Sequence, residues 1–194
     1  RVLTASHDGC VKLWSASDGI CHKNVVTATA PEHILAACMS PDQFSFVTYS
    51  SRSTSRLWNV FSDSCTQTWK ADISSARFSA DASLLLSASP DGTAKLHDCM
   101  TGDCIETFSG HEGEVMEAIF SQDEMFVFTA SLDKTAKCWD ATSGECTQTF
   151  AGHTGSVISV ALTPDGEFVL TASADRTAKL WTASTGHCMH TLFG

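Results

Sequence analysis

The stretch Phe168-Val-Leu-Thr-Ala-Ser-Ala-Asp-Arg-Thr-Ala-Lys-Leu-Trp181 decides the fold, because the chain spells it more than once. Phe126-Val-Phe-Thr-Ala-Ser-Leu-Asp-Lys-Thr-Ala-Lys-Cys-Trp139 follows the same pattern, and weaker copies end at Leu13-Trp14, Leu57-Trp58 and Leu96-His97. The copies recur about every forty residues, which is a period typical of repeat architectures. The sequence therefore predicts five successive copies of one supersecondary unit.

Each copy consists of short apolar or β-branched runs separated by turn residues. Leu84-Leu-Leu-Ser-Ala-Ser has the length and composition of a strand, and helical spacing of apolar residues does not persist anywhere in the chain. Asp8-Gly9 and Asp91-Gly92 suit tight hairpins, and Thr163-Pro-Asp-Gly marks a second turn. We expect an almost entirely β protein in which each copy is a four-stranded antiparallel meander. Such sheets bury their faces by stacking on one another.

Gly110-His111 and Gly152-His153 open the last two copies, and Trp139-Asp140 closes one of them. With these dipeptides in phase, the chain resembles the WD40 repeat family over essentially its whole length. The resemblance implies an all-β fold of WD40 β-propeller blades, with four complete four-stranded antiparallel blades plus three strands of another. These would be an arc of a larger ring of about seven blades. We expect one propeller segment, 1–194, with blades at 1–29 (partial), 30–70, 71–109, 110–151 and 152–194.

The alignment of the chain ends carries a further expectation. Arg1 aligns with Phe168, and Gly194 aligns with the Gly of the next Gly-His. We interpret the chain as a fragment of a longer propeller, with closure at five blades as the alternative.

A hydroxyl, an imidazole and a carboxylate recur together in these repeats, as they would in a catalytic site. In the family that the chain resembles, they form a buried structural chain from the Trp indole through a strand Ser/Thr and the loop His to the turn Asp. Residues i and i+2 of a strand share a face, so the sequence does not choose between Thr129 and Ser131 or between Thr171 and Ser173. Our working set takes the serines and comprises His111, Ser131, Asp133, Trp139, His153, Ser173, Asp175 and Trp181.

Two copies depart from the pattern. Arg52 replaces the expected Asp in the second copy, and His97 replaces the Trp in the third. We expect these blades to be less rigid. An exposed Arg52 guanidinium would accept a carboxylate or phosphate, and the alternative is a solvated surface Arg.

Function is predicted from surfaces, because a fold alone does not supply it. We predict a non-catalytic protein–protein interaction scaffold that binds a partner peptide or domain on one rim within a multiprotein complex. Glu112, Glu114 and Glu117 give this rim an acidic bias that favours a basic partner segment. The candidate partner-binding positions lie before the innermost strands and at the turn before the third strand: Ser51, Arg52, Asp72, Ser74, Pro90, Glu112, Glu114, Leu132, Thr154, Ser156 and Ala174.

Three alternatives stay open. One is a phosphopeptide or degron receptor of a ubiquitin ligase, which needs several converging Arg residues. Another is the propeller part of a larger enzyme, although the chain has no phosphate-binding loop or nucleophile elbow. The third is a purely architectural subunit of a larger assembly.

Composition narrows the classes of partner. The net charge of −10 disfavours nucleic acid and anionic membranes, and no apolar run has the roughly 20 residues of a membrane helix. We expect no nucleic acid partner, no membrane insertion and no cofactor. A cytoplasmic location is expected, with nuclear or cytoskeletal/ciliary association left open.

The chain has nine cysteines, and their register argues against disulfides and metal sites. Five of them occupy one equivalent position, seven residues after each anchor, and equivalent positions of neighbouring blades lie too far apart to bridge. His187-Cys188 and the Cys99 region lack the paired spacing of a zinc site. We interpret the cysteines as packing residues and predict no bound metal. The five equivalent positions are Cys21, Cys65, Cys104, Cys146 and Cys188.

Overall fold

A computed structural model of the chain describes residues 1–26, 33–51 and 54–194. Within these residues every regular element is a β-strand, and the strands form five antiparallel sheets. Each sheet is a meander in which neighbours along the chain are also neighbours in the sheet. This confirms the predicted all-β fold class of four four-stranded blades plus one of three strands. The predicted boundary between the first two blades, at residues 29 and 30, lies outside the described residues.

The strands are named in chain order. Sheet 1 contains β1 (Val2–Ala5), β2 (Cys10–Trp14) and β3 (Cys21–Val26). Sheet 2 contains β4 (Ile34–Met39), β5 (Ser45–Ser50), β6 (Thr54–Asn59) and β7 (Cys65–Lys70). Sheet 3 contains β8 (Ser75–Phe78), β9 (Leu84–Ala88), β10 (Thr93–Asp98) and β11 (Cys104–Ser109). Sheet 4 contains β12 (Val115–Phe120), β13 (Phe126–Ser131), β14 (Thr135–Asp140) and β15 (Cys146–Ala151). Sheet 5 contains β16 (Val157–Leu162), β17 (Phe168–Ser173), β18 (Thr177–Thr182) and β19 (Cys188–Phe193).

The chain forms two compact units. Unit 1 comprises Arg1–Ile73, Phe78–Leu85 and Asp98–Asp103, and its core joins sheets 1 and 2. Unit 2 comprises Ser74–Arg77, Leu86–His97 and Cys104–Gly194, so it contains most of sheet 3, and unit 1 contains the ends of some strands of that sheet. The core of unit 1 consists of Val11, Leu13, Phe46, Trp58 and Val60.

The core of unit 2 lies between sheets 4 and 5. Sheet 4 contributes Phe128 and Phe150, and Val157 and Trp181 pack on them from sheet 5. The rings of Phe150 and Trp181 meet edge to face with centroids 5.9 Å apart, a favoured geometry for aromatic pairs. A single sheet cannot cover both of its faces, so the repeat becomes stable through this packing on its neighbour.

A β-bulge recurs in all five sheets where the strand that carries the anchor pairs with the last strand. In sheet 4 the pairing shifts between Cys138 and Trp139, which leaves Thr147 as the extra residue opposite them. The Thr147 hydroxyl donates to the carbonyl oxygen of Cys138 at 3.2 Å. The same shift precedes the anchor in the other four sheets. Bulges re-aim side chains, and in sheets 2 and 5 the anchors that follow the bulge, Trp58 and Trp181, lie in the hydrophobic cores.

Candidate functional site

Sheet 4 contains a continuous hydrogen-bond chain from the indole of Trp139 to the carboxylate of Asp133. Trp139 Nε1 donates to Thr129 Oγ1 at 2.9 Å, and Thr129 Oγ1 lies 2.7 Å from His111 Nε2. His111 Nδ1 lies 2.7 Å from Asp133 Oδ2. The hydroxyl comes from β13, the indole from β14, and the Asp from the turn between them. The chain therefore ties the loop before β12 to the next two strands.

Sheet 5 repeats the arrangement. Trp181 Nε1 donates to Thr171 Oγ1 at 2.9 Å, and Thr171 Oγ1 lies 2.8 Å from His153 Nε2. His153 Nδ1 lies 2.9 Å from Asp175 Oδ2. The imidazole side chains of both copies are fully buried.

The hydroxyls in these chains are Thr129 and Thr171, which corrects our choice of Ser131 and Ser173. Ser131 lies at the end of β13, where its Oγ donates to Gly113 O at 3.0 Å and accepts the amide of Asp133 at 3.1 Å. Ser173 makes the equivalent pair of bonds in sheet 5. The serine therefore shapes the turn, and the threonine two residues earlier reaches the indole.

The protons of the sheet 4 chain have one consistent direction. Burial lowers the pKa of His111, although the bond to Asp133 opposes that effect, so the ring is neutral at pH 7. Burial raises the pKa of Asp133, but the bonds from Thr135 and His111 outweigh it and the net pKa is below its usual value. The Nδ1–H of His111 therefore donates to the carboxylate, and its Nε2 accepts the Thr129 hydroxyl proton. Each polar side chain of this network therefore has a hydrogen-bond partner.

A catalytic interpretation of this hydroxyl, imidazole and carboxylate fails on access. Thr129 is 0% exposed and Thr171 is 1% exposed, so neither oxygen is open to a substrate. The same geometry in two sheets also differs from the single tuned site of an enzyme. We assign this hydrogen-bond network a structural role, because a buried network in which every polar group has a partner rigidifies the fold around it.

The Gly of each Gly-His dipeptide lies against the indole. A Cβ on Gly110 would lie 3.4 Å from Trp139 Cη2, and one on Gly152 would lie 3.2 Å from Trp181 Cη2. Their φ angles of +142° and +153° also suit glycine. The glycine thus lets the loop approach closely enough for the His to reach the strand hydroxyl.

The two carboxylates also position the exposed loop residues. Asp133 Oδ2 accepts the amide of Glu112 at 3.1 Å, and Asp175 Oδ2 accepts the amide of Thr154 at 2.9 Å. Both Glu112 and Thr154 are exposed and belong to the predicted partner-binding set. The buried network therefore supports the surface at which a partner is expected.

Four candidate positions of unit 2 are joined by hydrogen bonds into one continuous surface, which together with the neighbouring exposed Glu112 we call the rim. The amide of Leu132 donates to Glu114 O at 2.9 Å, and Ser156 Oγ donates to Leu132 O at 3.3 Å. The amide of Ala174 donates to Ser156 O at 2.9 Å. The rim thus joins the loops of sheets 4 and 5, with the Glu114 side chain exposed.

The remaining candidate positions divide by exposure. Pro90 is exposed and Ser74 is half-buried, with its amide donating to Ala88 O. In unit 1, Ser51 and Asp72 are exposed, and Ser51 exchanges hydrogen bonds with His33. Arg52 lies outside the described residues.

Glu117 does not belong to the exposed acidic surface, although the sequence suggested it. It is half-buried on β12, where Oε2 accepts the Ser159 hydroxyl at 2.7 Å and the Val160 amide at 3.1 Å. Its Oε1 pairs with Arg77 at 3.2 Å. The acidic bias of the rim therefore rests on Glu112 and Glu114.

Two cationic residues beside the rim were not among the site residues predicted from the sequence. Lys134 and Arg176 are exposed at the turns beside Asp133 and Asp175, with φ angles of 74° and 68°. The equivalent positions of the other three repeats are Gly9, Gly92 and the undescribed Ser53. A long cationic side chain at a position that favours glycine was the available signal.

Sheet 3 carries a different arrangement at the anchor. His97 is 7% exposed, and its Nε2 lies 3.4 Å from Ser87 Oγ. Burial, with the nearby Lys95 charge, lowers the pKa of His97. In sheets 1 and 2, Trp14 and Trp58 donate to Thr4 and Thr48 at 2.8 and 3.0 Å.

The nine cysteines are free thiols, and those at the equivalent positions each begin the last strand of a sheet. Burial raises the pKa of Cys99 to about 12. Across the described ranges, no three His, Cys, Asp or Glu side chains group as ligands of a metal ion. The described part of the chain also has no helix long and apolar enough to span a membrane.

Three consecutive segments match one family model, described as WD domain, G-beta repeat. The matches cover residues 63–98, 102–140 and 144–182, together more than half of the chain. A search of curated proteins found no significant match to the chain.

Proposed function

The chain belongs to the WD40 repeat family, and we propose that it is a protein-interaction scaffold whose rim holds a segment of a partner protein. WD40 repeats serve in general as platforms for other proteins. The observation that carries the proposal is the continuity of the rim, where Glu114, Leu132, Ser156 and Ala174 are joined by successive hydrogen bonds. A continuous surface formed by two sheets contacts an extended partner segment over a greater length than isolated loops would.

The partner segment is proposed to be basic where it contacts sheet 4. Glu112 and Glu114 are exposed, and the amide of Glu112 is fixed by Asp133. Charges at the edge of an interface act mainly on the association rate and on partner choice. Attraction to these carboxylates would weaken as salt increases.

The test is charge reversal on the rim. Glu112→Lys combined with Glu114→Lys is expected to lower the affinity for rim-binding proteins about tenfold, a loss of about 1.4 kcal/mol. Glu145→Lys is the matched control, since Glu145 is an exposed carboxylate in the β14–β15 loop. Quantitative affinity purification with the full chain would compare the retained proteins. Equal retention by the wild type and the rim variant would refute the proposal.

A second candidate function is recognition of a phosphorylated segment. It is favoured by Lys134 and Arg176, two exposed cations on turns that flank the rim. Such cations form charge-assisted hydrogen bonds to phosphate. The double variant Lys134→Ala/Arg176→Ala would weaken binding of a phosphoserine peptide selectively, leaving its unphosphorylated twin unaffected. Equal effects on both peptides would exclude phosphate recognition.

A further inference from the structure

A cavity of about 800 Å³ opens between sheets 4 and 5, at the strand ends remote from the rim. Its walls include the β12–β13 turn and the β16–β17 turn, whereas the rim consists of the loops before β12 and β16 and the turns that follow β13 and β17. Phe126, Phe128, Cys138 and Leu162 supply the apolar part of the lining. A cavity of this size and character is typical of ligand sites.

The cavity lies where this repeat departs from the others in side-chain size. The residue before the aromatic anchor is Leu in the other four repeats and Cys138 here. Cys138 is 6% exposed, pairs with Phe128 in the sheet and faces the cavity. The thiol ends one atom beyond Cβ, so it leaves room that a leucine would fill. The Leu positions are Leu13, Leu57, Leu96 and Leu180.

The mouth of the cavity is acidic. Asp123 and Asp165 are exposed, and each uses Oδ1 to hold its own turn. The bond from Ser121 is the main cause that lowers the pKa of Asp123, and the bond from Thr163 does the same for Asp165. Both are therefore ionised at neutral pH. No lining residue of the cavity is basic, so the negative charge is available to a ligand.

A second cavity of about 600 Å³ adjoins the first, and the two together form one groove. It shares Gln122, Leu162 and Pro164 with the first and extends along β12 and β16 to Arg77 and Glu117. Two connected depressions suit an extended chain better than a compact molecule. The shape of the groove therefore favours a peptide segment as the occupant.

We propose that this groove is a second protein-binding site, specific for a segment in which a bulky apolar side chain lies next to Lys or Arg. The apolar side chain fills the space beside Cys138, and the cation contacts Asp123 and Asp165. The site is separate from the rim, so a partner could occupy both surfaces of the chain together.

The test begins with selection of random peptides displayed on phage against the full chain. The peptides that the groove retains should contain a large apolar residue next to Lys or Arg. Asp123→Asn combined with Asp165→Asn should weaken the selected peptides about tenfold, because each Asn keeps the Oδ1 acceptor but loses the charge. Asp81→Asn is the matched control, since Asp81 holds the corresponding turn of sheet 3 and does not line the cavity.

Cys138→Leu gives an independent arm, because it fills the cavity without changing charge. It should abolish binding while the thermal transition of the variant shows that it folds. If it unfolds the chain, the Asn variants alone decide. Failure to enrich peptides with the apolar–basic pair, or unchanged binding by the Asn variants, overturns the proposal.

The rim variant Glu112→Lys/Glu114→Lys distinguishes this proposal from the proposed function. The selected peptides are tested against both variants. If they no longer bind the rim variant but still bind the Asp123→Asn/Asp165→Asn variant, the proposed function at the rim stands and the groove proposal is refuted. A wild-type chain that sediments as a dimer, with Cys138→Leu monomeric, would make a second copy the occupant and would also refute the proposal.

Discussion

At the scale of single residues, one threonine per sheet determines whether the buried network is complete. Thr129 Oγ1 accepts a hydrogen bond from the indole of Trp139 and donates one to Nε2 of His111, and the threonine is fully buried. Removing it would leave two buried polar groups without a partner. Each such group costs about 1–3 kcal/mol.

Thr129→Val keeps the shape of the side chain and removes the hydroxyl. We expect the free energy of unfolding to fall by about 2–4 kcal/mol. Thr129→Ser retains the oxygen and should cost less than half as much. Urea denaturation followed by tryptophan fluorescence measures both variants. A Val variant as stable as the Ser variant would contradict the role given to the hydroxyl.

Lys134 leads to a prediction of opposite sign. Its φ of 74° is unfavourable for a residue with a Cβ, so Lys134→Gly should raise the free energy of unfolding by about 0.5–1 kcal/mol. Lys137→Gly, within β14, should lower it by a similar amount. Thermal unfolding of the two variants checks the contrast. A destabilised Lys134→Gly would show that the lysine side chain itself supports the turn.

At the scale of elements, the first strands of neighbouring sheets are joined by side chains that accept backbone amides. Ser75 Oγ accepts the Ala118 amide at 3.3 Å, and Glu117 Oε2 accepts the Val160 amide at 3.1 Å. Ser75 and Glu117 occupy equivalent positions, and Ala118 and Val160 do as well. The pairing of β12 with β13 shifts just before Glu117, so a bulge aims this side chain towards β16.

Glu117→Ala should therefore destabilise the packing of sheet 4 on sheet 5. It removes the acceptor for Ser159 and Val160 and the partner of Arg77, with an expected cost of about 2–3 kcal/mol. Ser75→Ala removes one neutral hydrogen bond and should cost about 1 kcal/mol. Hydrogen exchange of the β16 amides provides the readout. Unchanged protection in Glu117→Ala would mean that apolar contacts alone hold the sheets together.

The sequence predicted the elements better than it predicted the contacts between them. The spacing of Trp139 and Trp181 placed the strands, because strand period and turn chemistry are local properties. The choice between Thr129 and Ser131 depends on strand register, and the inward turn of Glu117 depends on a bulge and a neighbouring sheet. The cavity beside Cys138 also has a local signal, a small residue where other repeats have Leu, but its volume emerges only from packing.

At the scale of the whole molecule, buried histidines couple stability to pH. His97 and His111 have pKa values below the ordinary His value of 6.5, chiefly because of burial. The folded chain therefore holds their protons less tightly than the unfolded chain. Their contribution to stability is complete above pH 6.5 and is lost progressively as the pH falls from there towards the folded pKa values. Asp133 has a lowered pKa and adds a second loss below its ordinary value of 3.8.

His97→Trp separates the contribution of His97 to the loss below pH 6.5 from that of His111. It installs at this anchor the residue that the other four repeats carry, and it removes a buried group that titrates. The decrease in melting temperature between pH 7.5 and 5.5 should shrink in the variant, whatever its stability at pH 7.5. His190→Asn, which replaces an exposed histidine, should leave the decrease unchanged. If the decrease in His97→Trp is as large as in the wild type, the pH dependence belongs to His111 and the buried network of sheet 4.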